Sequence, residues 1–337
     1  MLNPNFTLTS KLLKNLTEIE RYYGQLEGMR IPQQLQLNIE RTNLIQSSHA
    51  SNSIEGNPLS IGEVTNLLLN DRIPSNRSEK EVVNYFYILK QLDKSKSEPF
   101  NLPLICDIHK ELLTGVDDEI KGKIRNVPIV VGRRNVGEQI QIKHNPPFHN
   151  RTSIENVLNN TFQWLLSTND SPILSAGIFH HEFVYLHPFV DGNGRVARLL
   201  TVLILLSHNY QINKYFVLDD YYDIDRELYS DSLHSADSGD KTKWLEYFTD
   251  GVKYSLQSAL GRIKEGLVRL SFDVRPSPRE QQALEIAGRY RELTSADLVK
   301  ELHVTRQQAF NLLKALSEKG FLNKRGSTKN SFYVLKQ

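Results

Sequence analysis

HPFVDGNGRVAR, running from His187 to Arg198, places a histidine, an aspartate, an asparagine, two glycines and two arginines within twelve residues. Gly192 and Gly194 flank Asn193 and free the backbone to turn its N–H groups inward, forming a nest that binds anions. Val196, Leu199, Leu200 and Leu203 then fall at i, i+3, i+4 and i+7. A buried helix therefore starts in the loop and points its N-terminus at the nest, where phosphate is the natural occupant. Arg195 and Arg198 lie three apart on the first turn, where cations oppose the helix dipole at a cost of about 0.3–1 kcal/mol each. An anion between them reverses that penalty, whereas a solvated arginine pair leaves the adjacent Asp-Gly-Asn-Gly unexplained. Asp191 supplies a hard oxygen ligand of the kind Mg²⁺ takes beside phosphates, the alternative being a plain turn aspartate. His187 ends the preceding helix, and an imidazole there can accept a hydroxyl proton as that oxygen attacks phosphorus. Base, metal carboxylate, anion nest and two arginines together point to phosphoryl or nucleotidyl transfer. No Walker A sequence, kinase glycine-rich loop or HExxH competes with them.

Outward from the loop the chain reads as mainly α, with apolar residues recurring at spacings of three and four. Ser175 to Leu186 leads straight into the loop, and 101–113 and 153–166 have the pattern of further amphipathic helices. Pro32 marks a helix start, with a polar segment running from there to a stop at Gly56. Ser60 and Glu63 form a capping box for the next helix. Between Val127 and Ile142, the runs VPIVV and EQIQI flank GRRNVG, which predicts a β-hairpin. FDVRPSPR, 272–279, reads as a linker to a second domain. There, one helix is expected over 281–288, a second capped by Thr294 and Asp297, and a third capped by Thr305 and Gln308 and ending near Gly320. The β-type runs GFLNK and SFYVL follow. Three helices and a two-stranded wing form the pattern of a winged helix-turn-helix.

Composition sets limits. The 337 residues are 39% apolar, enough for real cores in two or three domains. The longest apolar stretch, Leu199 to Leu206, is far short of the roughly 20 residues that span a bilayer, so no membrane partner is expected. The N-terminus shows no basic segment leading into an apolar run, and cytoplasmic residence is the expectation. Cys106 is the only cysteine, which excludes intrachain disulfides and cysteine-based zinc sites. The last 63 residues carry 12 Lys+Arg against 6 Asp+Glu, a net of +6, which leaves −4 for residues 1–274.

The loop resembles the signature of the Fic (Fic/Doc) family, H-x-F-x-[DE]-G-N-G-R-x-x-R, at every specified position. His180, Phe183, Leu186 and His187 in the lead-in keep the family's usual spacing. The resemblance implies a Fic-type helical bundle with a β-hairpin flap, followed here by the winged helix-turn-helix. It divides the chain into an N-terminal helical region (1–100), a catalytic core (101–255), a helical connector and linker (256–274) and the C-terminal module (275–337). It also implies protein adenylyl transfer, with ATP as substrate and Mg²⁺ as cofactor. His187 would be the base and Asp191 the Mg²⁺ ligand. Gly192, Asn193, Gly194 and the loop amides would hold the phosphates, with Arg195 on the α- and β-phosphates, Arg198 on the γ-phosphate and Phe189 in the core. The partner would be a protein, this chain included, offering a Ser, Thr or Tyr hydroxyl. The 127–142 hairpin resembles the flap that aligns an extended target by strand addition, the alternative being a structural hairpin. A homodimer is left open.

Upstream, SNSIEG places Ser51 and Glu55 four apart before Gly56. A glutamate in the last turn of a helix faces the negative end of the dipole and needs a cation nearby. Beside a complete loop the six residues are similar to the family's inhibitory motif, [ST]-x-x-x-E-[GN]. That resemblance implies Glu55 paired with Arg198, low basal activity and, in some relatives, support of AMP removal. Two other readings stand beside adenylyl transfer. One is a nucleotide-sensing DNA-binding regulator, with Arg306, Gln307 and Gln308 opening the recognition helix and Lys324, Arg325 and Lys329 on or around the wing. The other is transfer of a different nucleotidyl or phosphate group on the same scaffold. The intact Gly194 and Arg195 favour AMP.

Overall fold

Short polar side chains begin most of the helices, because the first N–H groups of a helix have no carbonyl inside it to bond. In the computed structural model, which describes residues 2–70, 72–134, 140–274, 276–290, 292–326 and 331–336, Thr9 caps α1 (Ser10–Glu27). Helix α2 (Gln33–Ile54) follows Pro32 and stops at Gly56. Ser60 and Glu63 close the expected capping box on α3 (Ile61–Leu69). Asn76 caps α4 (Arg77–Gln91), and Asn101 caps α5 (Leu102–Leu113). The strands β1 (Val131–Arg134) and β2 (Ile140–His144) pair antiparallel. Then come α6 (Arg151–Ser167), α7 (Pro172–Leu186), α8 (Asn193–Ser207), α9 (Asp219–Ile224), α10 (Arg226–His234) and the long α11 (Thr242–Val274).

Two compact units result, Met1–Ile263 and Lys264–Gln337. In the first, α8 is the central element, buried on every side from Arg195 to Leu206, as a helix apolar all round must be. Helix α7 packs beside it, and α11 packs on α7 where Gly177 leaves room for Phe248. A Cβ at Gly177 would lie 2.9 Å from the Phe248 ring. Trp244 Nε1–H donates to the Gly177 carbonyl at 2.7 Å in the same place. No helix of the described residues is long and apolar enough to cross a membrane.

In the second unit, three capping boxes in succession set three helices: Ser277 with Glu280 for α12 (Pro278–Ala287), Thr294 with Asp297 for α13 (Ser295–Leu302) and Thr305 with Gln308 for α14 (Arg306–Glu318). Strands β3 (Leu322–Arg325) and β4 (Phe332–Leu335) pair antiparallel, and Leu293 bridges to Tyr333. Ala283, Ile286, Leu298, Leu313, Leu322 and Tyr333 share one small core. The mainly α fold, with few strands, is as expected.

Three boundaries differ from expectation. Strand β1 begins at Val131 rather than Val127, because Pro128 has no N–H for a ladder and the Val127 carbonyl accepts from Arg125 Nη1 at 2.9 Å. The turn at 135–139 lies outside the described residues. Residues 272–274 belong to α11 rather than to a linker. Helix α12 begins at Pro278 rather than Gln281, since Pro at the first helical position and the Ser277 cap favour an earlier start.

Candidate active site

The site forms where α7 ends and α8 begins. His187 terminates α7 in the left-handed conformation (φ 49°, ψ 64°), its N–H on the Phe183 carbonyl at 3.0 Å. The carbonyls left open at that helix end are taken by Arg125, whose guanidinium donates to the oxygens of His187 at 2.6 Å and Leu186 at 3.2 Å. The Arg125 N–H adds Pro188 at 3.0 Å. A cation at a helix C-terminus is favourably placed. The His187 ring faces the Val184 carbonyl with Nδ1 at 2.9 Å. Nδ1 therefore carries the hydrogen, and Nε2 is left with a lone pair. Burial pushes His187 down to about 4, partly opposed by the Val184 bond, so the ring is neutral near pH 7.

Asn193 holds the loop together. Its amide donates to the Phe189 carbonyl at 2.9 Å and accepts from the Phe189 N–H at 2.9 Å. Both ends of the side-chain amide are engaged inside the loop, which leaves the Asn193 backbone N–H at the open first turn of α8. Phe189 is fully buried, as expected, and stacks on His109 with centroids 3.7 Å apart. His109 Nδ1 accepts from the Gly122 N–H at 2.9 Å, so its Nε2–H donates to the Asp191 carbonyl at 3.1 Å.

Helix α8 has no side-chain cap. Gly192 precedes it at φ +79°, a conformation that suits glycine. The N–H groups of Asn193, Gly194 and Arg195 form the open first turn. Gly194 has an ordinary helical backbone, so its role differs from the turn glycine expected. A Cβ there would lie 2.2 Å from Glu55 Oε1. Any side chain at 194 would force the Glu55 carboxylate to shift from its place over the helix end.

That carboxylate comes from the end of α2. Arg198 Nη2 donates to Glu55 Oε1 at 2.7 Å and to the Ser51 carbonyl at 2.9 Å, while Nε donates to Ser51 Oγ at 2.7 Å. Asp219 Oδ1 lies 3.6 Å from Nε, and Asp219 is itself hydrogen-bonded by Ser47. Burial works against charge on Glu55, but Arg198 and Arg195 hold its carboxyl below the usual range. Burial likewise opposes charge on Arg198, but Glu55, Tyr229, Tyr85 and Asp219 together outweigh it, so the guanidinium stays charged. Ser51 and Glu55 thus stand together on Arg198 of α8, and Gly56 follows them, exposed, at φ +88°.

Arg195 is differently placed. Its side chain is only 3% exposed, yet its nearest carboxylates are at 3.5 Å (Glu81 Oε1) and 3.6 Å (Asp191 Oδ2). Its Nε has no hydrogen-bond partner among the described residues. Buried donors are rarely left so. Asp191, 44% exposed, also faces Arg77 at 3.3 Å, and its Oδ1 accepts from the Gly192 N–H at 2.6 Å. One hard carboxylate beside an anion pocket fits Mg²⁺ shared with phosphate oxygens.

The family model described as Fic/DOC family matches residues 99–205, which include α5, the two strands of the hairpin, α6, α7 and nearly all of α8. These residues are a Fic domain. The protein adenylyltransferase fic-1 of Caenorhabditis elegans is 28% identical over 245 residues, covering 69% of this chain and 45% of the relative. The protein adenylyltransferase Fic of Aedes aegypti is 27% identical over 238 residues, covering 67% and 44%. The chain thus spans less than half the length of these relatives. The crystal structure of a Fic family protein from Desulfovibrio desulfuricans G20 shares the fold over 99% of this chain and 98% of that one, with a TM-score of 0.69 and 24% identity. A fragment of the Caenorhabditis elegans Fic-1 has a TM-score of 0.61 at 23% identity, over 76% and 73%.

The remaining sequence candidates lie in the second unit. Arg306, Gln307 and Gln308 are exposed on the first turn of α14, and Lys324 and Arg325 are exposed on β3. Lys329 is outside the described residues. Gln308 Oε1 accepts from the Thr305 N–H at 3.0 Å and Gln307 donates to Asn311 at 3.1 Å, so both amides already have partners. Arg125, His109, Asp219, Ser47, Glu81 and Arg77 were missed from the sequence. They are isolated polar residues on other elements, and no local pattern marks them.

Proposed function

We propose that the chain transfers AMP from ATP to the hydroxyl of a protein Ser, Thr or Tyr and is restrained by Glu55. The observation that carries this reading is the buried Arg195 with its unpartnered Nε, set at the uncapped start of α8 beside His187 with a free Nε2. A triphosphate supplies what that arrangement lacks: anionic oxygens for the first-turn N–H groups and for Arg195 and Arg198. The target oxygen forms a bond to the α-phosphorus, the bond from that phosphorus to the oxygen bridging to the β-phosphate breaks, and pyrophosphate leaves. The hydroxyl proton goes to His187 Nε2. Mg²⁺ held by Asp191 would neutralise phosphate charge when bound. The β1–β2 hairpin is the natural edge for an extended target segment.

Glu55 supports restraint because it occupies, from within the chain, the helix end and the guanidinium that a γ-phosphate requires. ATP bound beside it would be misaligned for in-line attack. Incubation with ATP labelled in the α or the γ position tests the reading. Only α label should remain on protein, and His187→Ala should reduce it about 10²- to 10⁴-fold. Retained γ label would replace adenylyl transfer with phosphoryl transfer.

For the second unit, with its net +6 charge and exposed Arg306, Lys324 and Arg325, we propose contact with the DNA backbone. Binding to duplex DNA should weaken steeply as salt rises. Absence of any shift at low salt would make the unit a protein-docking module.

A further inference from the structure

We propose that His144, His234 and Asp237 form a binding site for a divalent transition-metal ion, separate from the Asp191 site. Their ligand atoms all lie within 4.8 Å of one another. His144 ends β2, His234 ends α10, and Asp237 follows His234 by three residues in the next turn. His144 Nδ1 stands 2.9 Å and His234 Nδ1 3.0 Å from the same oxygen, Asp237 Oδ2.

The hydrogen-bond pattern around these residues asks for a cation. His144 Nε2 faces the Tyr185 carbonyl at 2.7 Å, which can only accept. That nitrogen therefore carries a hydrogen, and in a neutral ring Nδ1 would turn a lone pair toward a carboxylate oxygen. Either a second proton or a metal ion must stand between them. The other carboxylate oxygen is already served: His181 Nδ1 accepts from Lys241 at 2.9 Å, so its Nε2–H donates to Asp237 Oδ1 at 3.0 Å. Lys241 in turn pairs with Glu182 at 2.6 Å. Oδ2 is thus left to the two histidines. Burial disfavours charge on Asp237, yet the hydrogen bonds of His144, His181 and His234 hold its carboxyl far below the usual range.

The geometry suits a tetrahedral ion. Two imidazoles bound at about 2.0–2.1 Å to one such ion have ring centroids about 5 Å apart, and those of His144 and His234 are 5.2 Å apart. The bond that the far nitrogen of His144 donates to the Tyr185 carbonyl, and the one that His181 donates to the far oxygen of Asp237, are the outer supports that metal ligands receive. Two imidazoles and a carboxylate favour Zn²⁺ and its neighbours over Mg²⁺. His234 and Asp237 are partly exposed, which gives the ion a way in. A bound ion fastens the end of β2 to α10 beside the base, since the His144 and His187 rings are 6.5 Å apart.

The test is calorimetric titration of the chelator-treated full chain with Zn²⁺ in excess Mg²⁺, with Co²⁺ as a second probe whose visible absorption reports coordination. We expect one ion per chain, a tetrahedral Co²⁺ spectrum and affinity weakened at least about tenfold in His234→Ala. His187→Ala should bind the ion as wild type does, which separates this site from the proposed transfer reaction. His144→Gln serves as the second variant should His234→Ala melt early by circular dichroism. No bound Zn²⁺, or binding unchanged in folded His234→Ala or His144→Gln, overturns the proposal and leaves a protonated histidine network in its place.

Discussion

The two sides of the first turn of α8 are finished to different degrees. Toward α2, Arg198 is engaged by Ser51 Oγ, the Ser51 carbonyl and Glu55, with Asp219 behind. Toward α4, Arg195 is equally buried but reaches Glu81 and Asp191 only at 3.5 and 3.6 Å. Burial alone therefore does not decide how a charge is satisfied; what differs is whether the chain brings its own acceptor. On one side it supplies a carboxylate shaped to the place of an anion. On the other, a guanidinium is held ready for acceptors from elsewhere. The same helix end thus holds one arginine that the chain pairs with its own carboxylate and one whose Nε has no partner among the described residues.

Removing Glu55 should break that contrast most strongly. A hydrogen bond between charged groups contributes about 1.5–3 kcal/mol, so Glu55→Gly should raise transfer of α label about 10- to 100-fold. Label rate in the variant and wild type checks this, and an equal rate would remove Glu55 as the restraint. Ser51→Ala sharpens the contrast instead. It leaves Arg198 Nε buried with Asp219 3.6 Å away, at a cost of about 1–3 kcal/mol in stability. The melting temperature should drop, and label transfer should rise by less than in Glu55→Gly, because the carboxylate stays. A larger rise than in Glu55→Gly would mean that the end of α2, rather than its glutamate, restrains the site.

What could be read from the sequence was what lies close along the chain. The loop from His187 to Arg198 carries histidine, glycines and arginines in one run, and each capping box spans four residues. Ser51 and Glu55 gain meaning only beside that loop, since nothing local ties α2 to α8. Arg125, His109, Asp219 and Glu81 could not be read, because packing of separate elements brings them to the loop from positions 21 to 114 residues away. Where the local reading went astray, a tertiary partner had intervened. Gly194 answers to Glu55 rather than to a turn. At the hairpin, Arg125 and Pro128 together withdraw residues 127–130 from the strand.

The smallest effect expected is on the pH profile, and it tests whether burial governs the base. Burial, the largest influence on His187, pushes it down to about 4, with His144 adding to it and the Val184 bond opposing. A general base acts in its neutral form, and His187 stays neutral until the pH falls through about 4. An ordinary histidine titrates near 6.5 and would lose about tenfold in rate at pH 5.5. In Glu55→Gly the loss of a negative neighbour lowers His187 further, in the same direction. The single-turnover rate of that variant should therefore agree within about twofold between pH 5.5 and 7.5. Stability runs the other way. The unfolded chain takes up the proton near pH 6.5 and the folded chain resists it to about 4, so acid weakens the fold across that window. Circular dichroism at pH 5.5 must show the fold intact before the rates are compared. A tenfold fall in rate with the fold intact would mean that His187 meets water as freely as an exposed imidazole, and that the contrast between the two arginines is set in a wetter site than the static structure shows.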